Sequence, residues 1–115
     1  MTMDAKSKRK IYIAGPMRGY PQYNYPAFMR AETQLRAVGY DVVNPATMGD
    51  LYGKPDELAA DKNLLKLLMH DELVELATCN AIYLLRGWEK SVGARGELAL
   101  ALHLDLEIII QRATK

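Results

Sequence analysis

Hydrophobic residues along the chain form four short, β-prone runs separated by longer mixed stretches. The runs are Ile11–Ala14, Asp41–Asn44, Asn80–Leu85 and Glu107–Ile110. Gly15-Pro16 ends the first run and Pro45 closes the second, so each run is predicted to be a strand that leads into a loop. The third run has almost no polar alternation, which is typical of a parallel sheet covered on both faces.

Three segments between these runs show helical periodicity. In the first, Phe28, Ala31, Leu35 and Val38 recur at three- and four-residue steps, with Pro26 suited to its start and Gly39 to its end. A long helix is expected from about Glu57 to Thr78, and another helix from Ala94 to Leu104. The stretches 15–25, 47–56 and 87–93 contain turn-forming residues and are predicted to be loops.

The order of elements is therefore strand, helix, strand, helix, strand, helix, strand, which predicts an α/β fold with right-handed crossovers. With 115 residues, the chain is expected to be a single domain, 1–115, with a flexible basic start over 1–10. In such sheets, ligands bind beyond the carboxyl ends of the strands. Loops that begin at Gly15, Asn44 and Arg86 lie at those ends, so functional residues are expected there.

Composition narrows the function only slightly. Half of the residues are hydrophobic, a quarter are charged and the formal net charge is +1. We therefore expect no strong attraction to nucleic acid or to an anionic membrane surface. Apolar runs fall far short of the roughly 20 residues of a membrane span. The single Cys79 excludes an internal disulfide and fits a reducing, cytoplasmic location, and His70 and His103 lack metal-ligand spacing, so no metal is expected.

Two of the loops have features that suit an anion. Gly15-Pro16-Met17-Arg18-Gly19 combines small residues, which let backbone N–H groups approach a ligand, with a guanidinium fork. It is neither a P-loop nor a GxGxxG loop, and by itself it fits a tight turn with a surface arginine better. Ser91 and Gly93 begin a helix, where free N–H groups hold anions, although Ser91 alone is better explained as an N-cap. Together the two loops favour a phosphate-bearing ligand.

Two glutamates stand among apolar neighbours on predicted helices. Glu97 lies three or four residues from Ala94, Leu98 and Ala101, so it borders apolar surface, although a carboxylate early in a helix also suits the helix dipole. Glu72 is the only charge in the stripe of Leu65, Leu68, Met69, Leu73, Leu76 and Cys79. Asp71, on a less apolar face, is the second candidate, and either acid can also be a helix-end residue that reaches solvent.

Two carboxylates beside one sugar suggest glycosidic chemistry, in which one attacks the anomeric carbon and the other handles the proton of the leaving group. Tyr12, at the end of the first strand, is placed to orient a nucleophilic glutamate. Trp88 and the cluster Tyr20, Tyr23 and Tyr25 either stack on a base or cover the core.

Two segments together resemble the nucleoside 2-deoxyribosyltransferase superfamily. Ile11–Gly19 (IYIAGPMRG) resembles its opening strand and phosphate or sugar loop, and Asn80–Leu102 (NAIYLLRGWEKSVGARGELALAL) resembles its strand, loop and nucleophile helix. The pattern is most similar to a branch of small, often phage-associated proteins of unassigned function. It is also similar to nucleoside 5'-monophosphate N-glycosidases, through Tyr12, Gly15, Arg18, Gly19 and the Ser-x-Gly-x-x-x-Glu pattern of Ser91, Gly93 and Glu97.

This resemblance implies a role for each matching residue. Glu97 would attack C1', Tyr12 would orient it, and the 5'-phosphate would be held by Arg18, Gly19, Ser91 and Gly93. Counting back eight residues from Asn80 gives Glu72 as the family's second acid, while Asp71 keeps the usual aspartate identity. The chain departs from the family where Glu72 replaces Asp and where Asn80 stands in place of Asp.

The hypothesis from the sequence is a flavodoxin- or Rossmann-like three-layer sandwich with a mostly parallel sheet. It would cleave or exchange the N-glycosidic bond of a (deoxy)nucleoside 5'-monophosphate, without metal or organic cofactor, as a homodimer or larger homo-oligomer. Arg18 favours nucleotides over nucleosides, and hydrolysis over transfer. The alternatives are a nucleotide-binding or sensing module without catalysis, and an interaction domain with a degenerate site.

Overall fold

Four parallel strands form the centre of the molecule. The computed structural model describes residues 8–49, 53, 57 and 60–112. The strands are β1 (Lys10–Ala14), β2 (Asp41–Val43), β3 (Ala81–Leu84) and β4 (Glu107–Ile110), in the order β2-β1-β3-β4. From β1 the chain passes first to β2 on one side and later to β3 on the other. The carboxyl ends of β1 and β3 therefore border the crevice where parallel α/β sheets bind ligands.

The helices cover both faces of this sheet, which confirms the predicted α/β fold. They are α1 (Tyr25–Ala37), α2 (Pro45–Gly49), α3 (Lys62–Ala77) and α4 (Val92–His103), with short 3₁₀ turns at Pro21–Asn24 and Trp88–Lys90. Side chains of β1 alternate between two cores. Ile11 and Ile13 pack with residues of α1, whereas Tyr12 and Ala14 pack with residues of α3 and α4.

The short helix α2 corrects the sequence prediction, which ended the second strand with Pro45 and placed a loop from Thr47. Asn44 starts this helix, because its Oδ1 accepts a hydrogen bond from the Ala46 N–H at 2.9 Å. Pro45 then occupies the first helical position, where its missing N–H has no cost. Residues 50–52 and 54–56 of the predicted loop lie outside the described residues.

Side-chain caps also set where α3 and α4 begin. Glu57 and Ala60 are helical, as expected, but the predicted long helix is interrupted at Asp61. Helix α3 begins at Lys62, because Asp61 has extended backbone and accepts hydrogen bonds from the N–H groups of Asn63 and Leu64. Helix α4 begins at Val92, two residues before the expected Ala94, because Ser91 accepts from the Ala94 N–H. The interpretation of Ser91 as a helix N-cap, which the sequence favoured for this residue taken alone, is thus confirmed.

The last two residues of the basic start over 1–10 contact the sheet or belong to it. Arg9 forms an ion pair with Glu107 at 2.7 Å. Lys10 begins β1, and its Nζ donates to Thr78 Oγ1 at 2.7 Å. Residues 1–7 lie outside the described part of the chain. Within the described part, no helix has the length and apolar character needed to cross a bilayer.

Close packing at Gly15 brings the loops after β1 and β3 together. A Cβ at this position would lie 2.7 Å from Leu85 Cβ, well inside normal contact distance. The Leu85 N–H donates to the Ala14 carbonyl at 2.8 Å, so the two backbones are fixed beside each other. Glycine is therefore required at this position for the crevice to keep its shape.

We predict that Gly15→Ala lowers the free energy of unfolding by about 1–3 kcal/mol, because the added methyl group overpacks this contact. Urea denaturation at neutral pH measures the change. The matched control is Gly96→Ala, on a helical residue with no atom near the added methyl group. That control should be neutral or stabilising by about 0.5–1 kcal/mol. Equal stability of Gly15→Ala and wild type would contradict the packing argument.

Candidate active site

Glu97 is a buried carboxylate in direct contact with the central strand. It lies in the second turn of α4 and is 9% exposed, as its apolar neighbours predicted. Its Oε2 accepts a hydrogen bond from the Tyr12 hydroxyl at 2.6 Å. Tyr12 is completely buried on the face of β1 that packs against α3 and α4. The sheet and the helix together therefore fix the position of this carboxylate.

Burial sets the protonation of this pair. Loss of hydration raises the pKa of Glu97 from 4.5 to about 7, although the hydrogen bond from Tyr12 acts in the opposite direction. The pKa of Tyr12 lies well above its ordinary value, through burial first and then through the negative charges of Glu97 and Glu72. Tyr12 consequently remains a hydrogen-bond donor while Glu97 gains or loses its proton.

Glu72 is a second carboxyl group within the electrostatic range of Glu97. Burial and, next, the charge of Glu97 raise the pKa of Glu72 from 4.5 to about 8, with a smaller effect of Asp71. The Asp71 side chain is 45% exposed and contacts His70 Nδ1 at 3.2 Å. Glu72 is half-buried, and of the two candidate acids it is the one whose pKa is raised by the charge of Glu97.

The two glutamates differ in which proton leaves first. Only Glu97 receives the hydrogen bond from Tyr12, which favours its charged form, and the ionised Glu97 then disfavours a second charge on Glu72. Near neutral pH the pair can therefore hold an ionised Glu97 beside a protonated Glu72. A nucleophile and a proton donor in one site need this combination.

The two loops predicted to bind an anion lie side by side at the carboxyl edge of the sheet. Gly87 has φ of +89°, and a Cβ there would lie 2.6 Å from the Tyr20 hydroxyl and 3.2 Å from Pro16 Cγ. Arg18 and Gly19 lie at the exposed tip of the first loop, and Gly93 is exposed in the first turn of α4. The sequence analysis did not single out Gly87, although a glycine shortly after a buried strand is the signal that could have done so.

Two predicted binding residues are engaged elsewhere in the fold. Asn44 is 4% exposed, and its Nδ2 donates to Glu32 Oε1 on α1 at 2.9 Å while its Oδ1 starts α2. Met17 packs against the core on the α1 face, across the sheet from Tyr12 and Glu97. These contacts give both residues a structural role in positioning α1 and the first loop.

The aromatic residues also divide between the two faces. Trp88 is half-buried and packs against the core that contains Tyr12, so it lies on the same side of the sheet as Glu97. Tyr25 packs on the α1 face, and Tyr20, 40% exposed, covers Gly87. Tyr23 is half-buried in the strained turn before α1, with φ of +53°. Trp88 is thus the aromatic candidate that shares the face of the carboxyl pair.

Across the described ranges, no group of three or more His, Cys, Asp or Glu residues is arranged to hold a metal ion. The Tyr12 phenol contacts Glu97, and the Trp88 indole lies on the same face of the sheet. The two loops with donors for an anion lie at the carboxyl edge of that sheet.

A model of the family DUF4406, described as a domain of unknown function, matches residues 9–110. The chain belongs to this family. No curated protein matches its sequence. The DUF4406 chain is similar in structure to the 2-deoxyribosyltransferase from the psychrotolerant bacterium Bacillus psychrosaccharolyticus, with a TM-score of 0.68 and 16% identity over 92% of this chain and 77% of that one. This likeness confirms the predicted Rossmann-like α/β fold.

We predict that Glu97→Gln makes this DUF4406 protein more stable at alkaline pH. The pKa of Glu97 is raised in the folded state, so wild-type stability is fully present below about pH 4.5 and decreases as pH rises through about 7. Glutamine has no charge to bury. Urea unfolding should therefore give similar stabilities for variant and wild type at about pH 5, and an advantage of about 1–3 kcal/mol for the variant at about pH 8.

The matched control for this comparison is Glu89→Gln, which removes an exposed carboxylate from the Trp88–Lys90 turn. Its stability difference from wild type should not change between the two pH values. A pH-independent difference for Glu97→Gln as well would show that residue 97 is hydrated in solution.

Proposed function

We propose that this protein cleaves or exchanges the N-glycosidic bond of a (deoxy)nucleoside 5'-monophosphate, with Glu97 as the nucleophile. The observation that carries the proposal is a pair of carboxyl groups with raised pKa values, the buried Glu97 and the half-buried Glu72, of which Glu97 alone is hydrogen-bonded to Tyr12. Perturbed acids of this kind cluster at catalytic sites. The fold it shares with a solved 2-deoxyribosyltransferase supports the same class of reaction.

In the first step, the ionised Glu97 carboxylate forms a bond to C1' as the bond from C1' to the base nitrogen breaks. The base nitrogen takes that electron pair and receives the proton of Glu72. Tyr12 keeps its own proton and holds the attacking carboxylate in place through the 2.6 Å hydrogen bond. The step leaves a glycosyl ester on Glu97 and a charged Glu72 carboxylate.

In the second step, water or another base attacks C1' and releases Glu97 as a carboxylate. Glu72 accepts the proton that the attacking water or base loses, so the pair returns to its starting state. Water gives hydrolysis, and a second base gives transfer. Arg18 favours a phosphorylated substrate, because its guanidinium provides paired donors for phosphate oxygens. A nucleotide substrate in turn favours hydrolysis, since the transferases that the sequence resembles use nucleosides.

The phosphate subsite in this proposal consists of Arg18, Gly19, Ser91 and Gly93. The amino terminus of α4 presents N–H groups that have no partner within the helix and a partial positive charge. The contacts of Gly87 with Tyr20 and Pro16 keep this end of α4 beside the first loop.

Trp88 is the candidate for stacking on the base. Membership of the phage-associated branch, a cytoplasmic location and a homodimer or larger assembly remain predictions.

We expect Glu97→Gln to abolish base release while nucleotide binding persists, because glutamine keeps the shape and the acceptor for Tyr12 but cannot form the ester. Purified wild type and variant are incubated with a panel of ribo- and deoxynucleoside monophosphates. Free base is measured by chromatography and binding by thermal shift. Activity should fall by on the order of 10³-fold or more, as is usual when a covalent nucleophile is lost.

Glu72→Gln should slow base release in the same assay, and Glu75→Gln on the same helix is its matched control. Glu75 is half-exposed and pairs with Lys10 at the start of β1, on the edge of the sheet opposite the carboxyl ends of the strands. Removal of the Glu75 charge should therefore leave turnover unchanged. If the wild-type protein binds nucleotides but releases no base from any member of the panel, the proposal is wrong and the protein is a nucleotide-binding module. Absence of both binding and turnover would indicate an interaction domain.

A further inference from the structure

A groove lies on the face of the sheet opposite Glu97. Strand register aligns Ile13 with Tyr83, and Tyr83 with Ile109. Because Ile13 points into the α1 core, Tyr83 and Ile109 lie on that same face. Helix α1 packs over β1 and β2 and leaves the β3–β4 half of this face open as the floor of a groove.

The groove is large enough for a small ligand. Its main cavity has a volume of about 430 Å³ and is lined by residues that include Arg30, Gln34, Tyr83, Arg86, Ile109 and Arg112. A second cavity of about 300 Å³ shares Arg30, Arg86 and Gln111 and extends the groove toward Tyr20. Small-molecule sites in proteins typically span about 300–1,000 Å³.

Among the described residues, the charged side chains that line the main cavity are all positive. Three guanidinium groups, from Arg30, Arg86 and Arg112, surround the main cavity, and no acidic side chain of the described residues lines it. Within residues 8–49, 53, 57 and 60–112, neither Arg30 nor Arg112 forms an ion pair. Such a set of forked donors matches the oxygens of a phosphate group.

Backbone contacts hold the groove in shape. The Arg86 N–H donates to Gln111 Oε1 at 2.9 Å, and the Gln111 N–H donates to the Leu84 carbonyl at 2.8 Å. These bonds fix the ends of β3 and β4, which carry Arg86 and Arg112. Less ordering is then needed when a ligand binds.

Charge and size decide which occupant fits. A second copy of the chain, placed about a two-fold axis here, would bring arginines against arginines. A long nucleic acid strand is disfavoured by the formal net charge of only +1.

We infer that this groove is a second binding site, separate from the carboxyl pair, for a phosphorylated small molecule of about mononucleotide size. Its phosphate contacts Arg30 and Arg112, and its apolar or ring portion packs on Tyr83 and Ile109.

The test uses methyl NMR on Ile-labelled Glu97→Gln protein, in which the proposed turnover is blocked. Adenosine 5'-monophosphate is titrated in, with adenosine as the uncharged comparison. We expect saturable shifts of the Ile109 methyl signals with the monophosphate and little change with adenosine. Arg30→Glu should weaken this binding on the order of tenfold or more, since it replaces a charge-assisted contact with repulsion.

Arg95→Glu, which makes the same charge change at an exposed site on α4, is the matched control and should leave the Ile109 titration unchanged. Arg18→Ala separates the two sites: it should weaken binding at the proposed active site and leave the Ile109 shifts intact. Silence of the Ile109 methyl signals, or equal effects of Arg30→Glu and Arg95→Glu, would overturn the inference. Loss of the Ile109 shifts in Arg18→Ala would also overturn it, by assigning them to the active site.

Discussion

The hydrogen bond from the Tyr12 hydroxyl to Glu97 Oε2, 2.6 Å long, is the contact on which the candidate site depends. It joins the central strand to the second turn of α4 inside the protein. A carboxylate in such a place costs free energy when it is charged, and this bond offsets part of that cost. Because only Glu97 receives it, the bond also makes Glu97 and the half-buried Glu72 unequal.

This inequality connects the fold to the chemistry. The pKa of Glu97 is raised to about 7 and that of Glu72 to about 8, both mainly by burial. At neutral pH the protein can therefore present a charged oxygen and a proton donor in one small volume. The loops after β1 and β3, held together at Gly15 and Gly87, complete the same edge of the sheet. Because the charged Glu97 is buried, the protein is less stable at alkaline pH.

Much of this architecture follows from local sequence. Apolar runs bounded by glycine and proline identify the strands, and the single charge in the stripe of α3 singles out Glu72. Ser91 could be recognised as a cap from the sequence, but Asn44 and Asp61 act through side-chain contacts that periodicity does not reveal. Asn44 illustrates the limit: its position after a strand was predicted, but the contact of its amide with Glu32 on the preceding helix was not.

Other features depend on contacts between distant parts of the chain. The arginine-lined groove exists because α1 covers only half of its face of the sheet, and no local pattern encodes that coverage. Met69 belongs to the apolar stripe of α3 but is 40% exposed, because the packing partners of the helix determine how much of the stripe is buried. The link between Tyr12 and Glu97, 85 positions apart, joins two elements whose proximity no local pattern encodes, and its expectation from the sequence depended on the predicted fold and the family resemblance.

The central claim is that burial and Tyr12 set the order in which the two glutamates ionise. A ¹³C NMR titration of the side-chain carboxyl groups measures this directly in the unliganded protein. The account predicts that Glu97 titrates near pH 7 and Glu72 near pH 8, and that Tyr12→Phe raises the pKa of Glu97. Titration of both groups near pH 4.5, or no response of Glu97 to Tyr12→Phe, would contradict it.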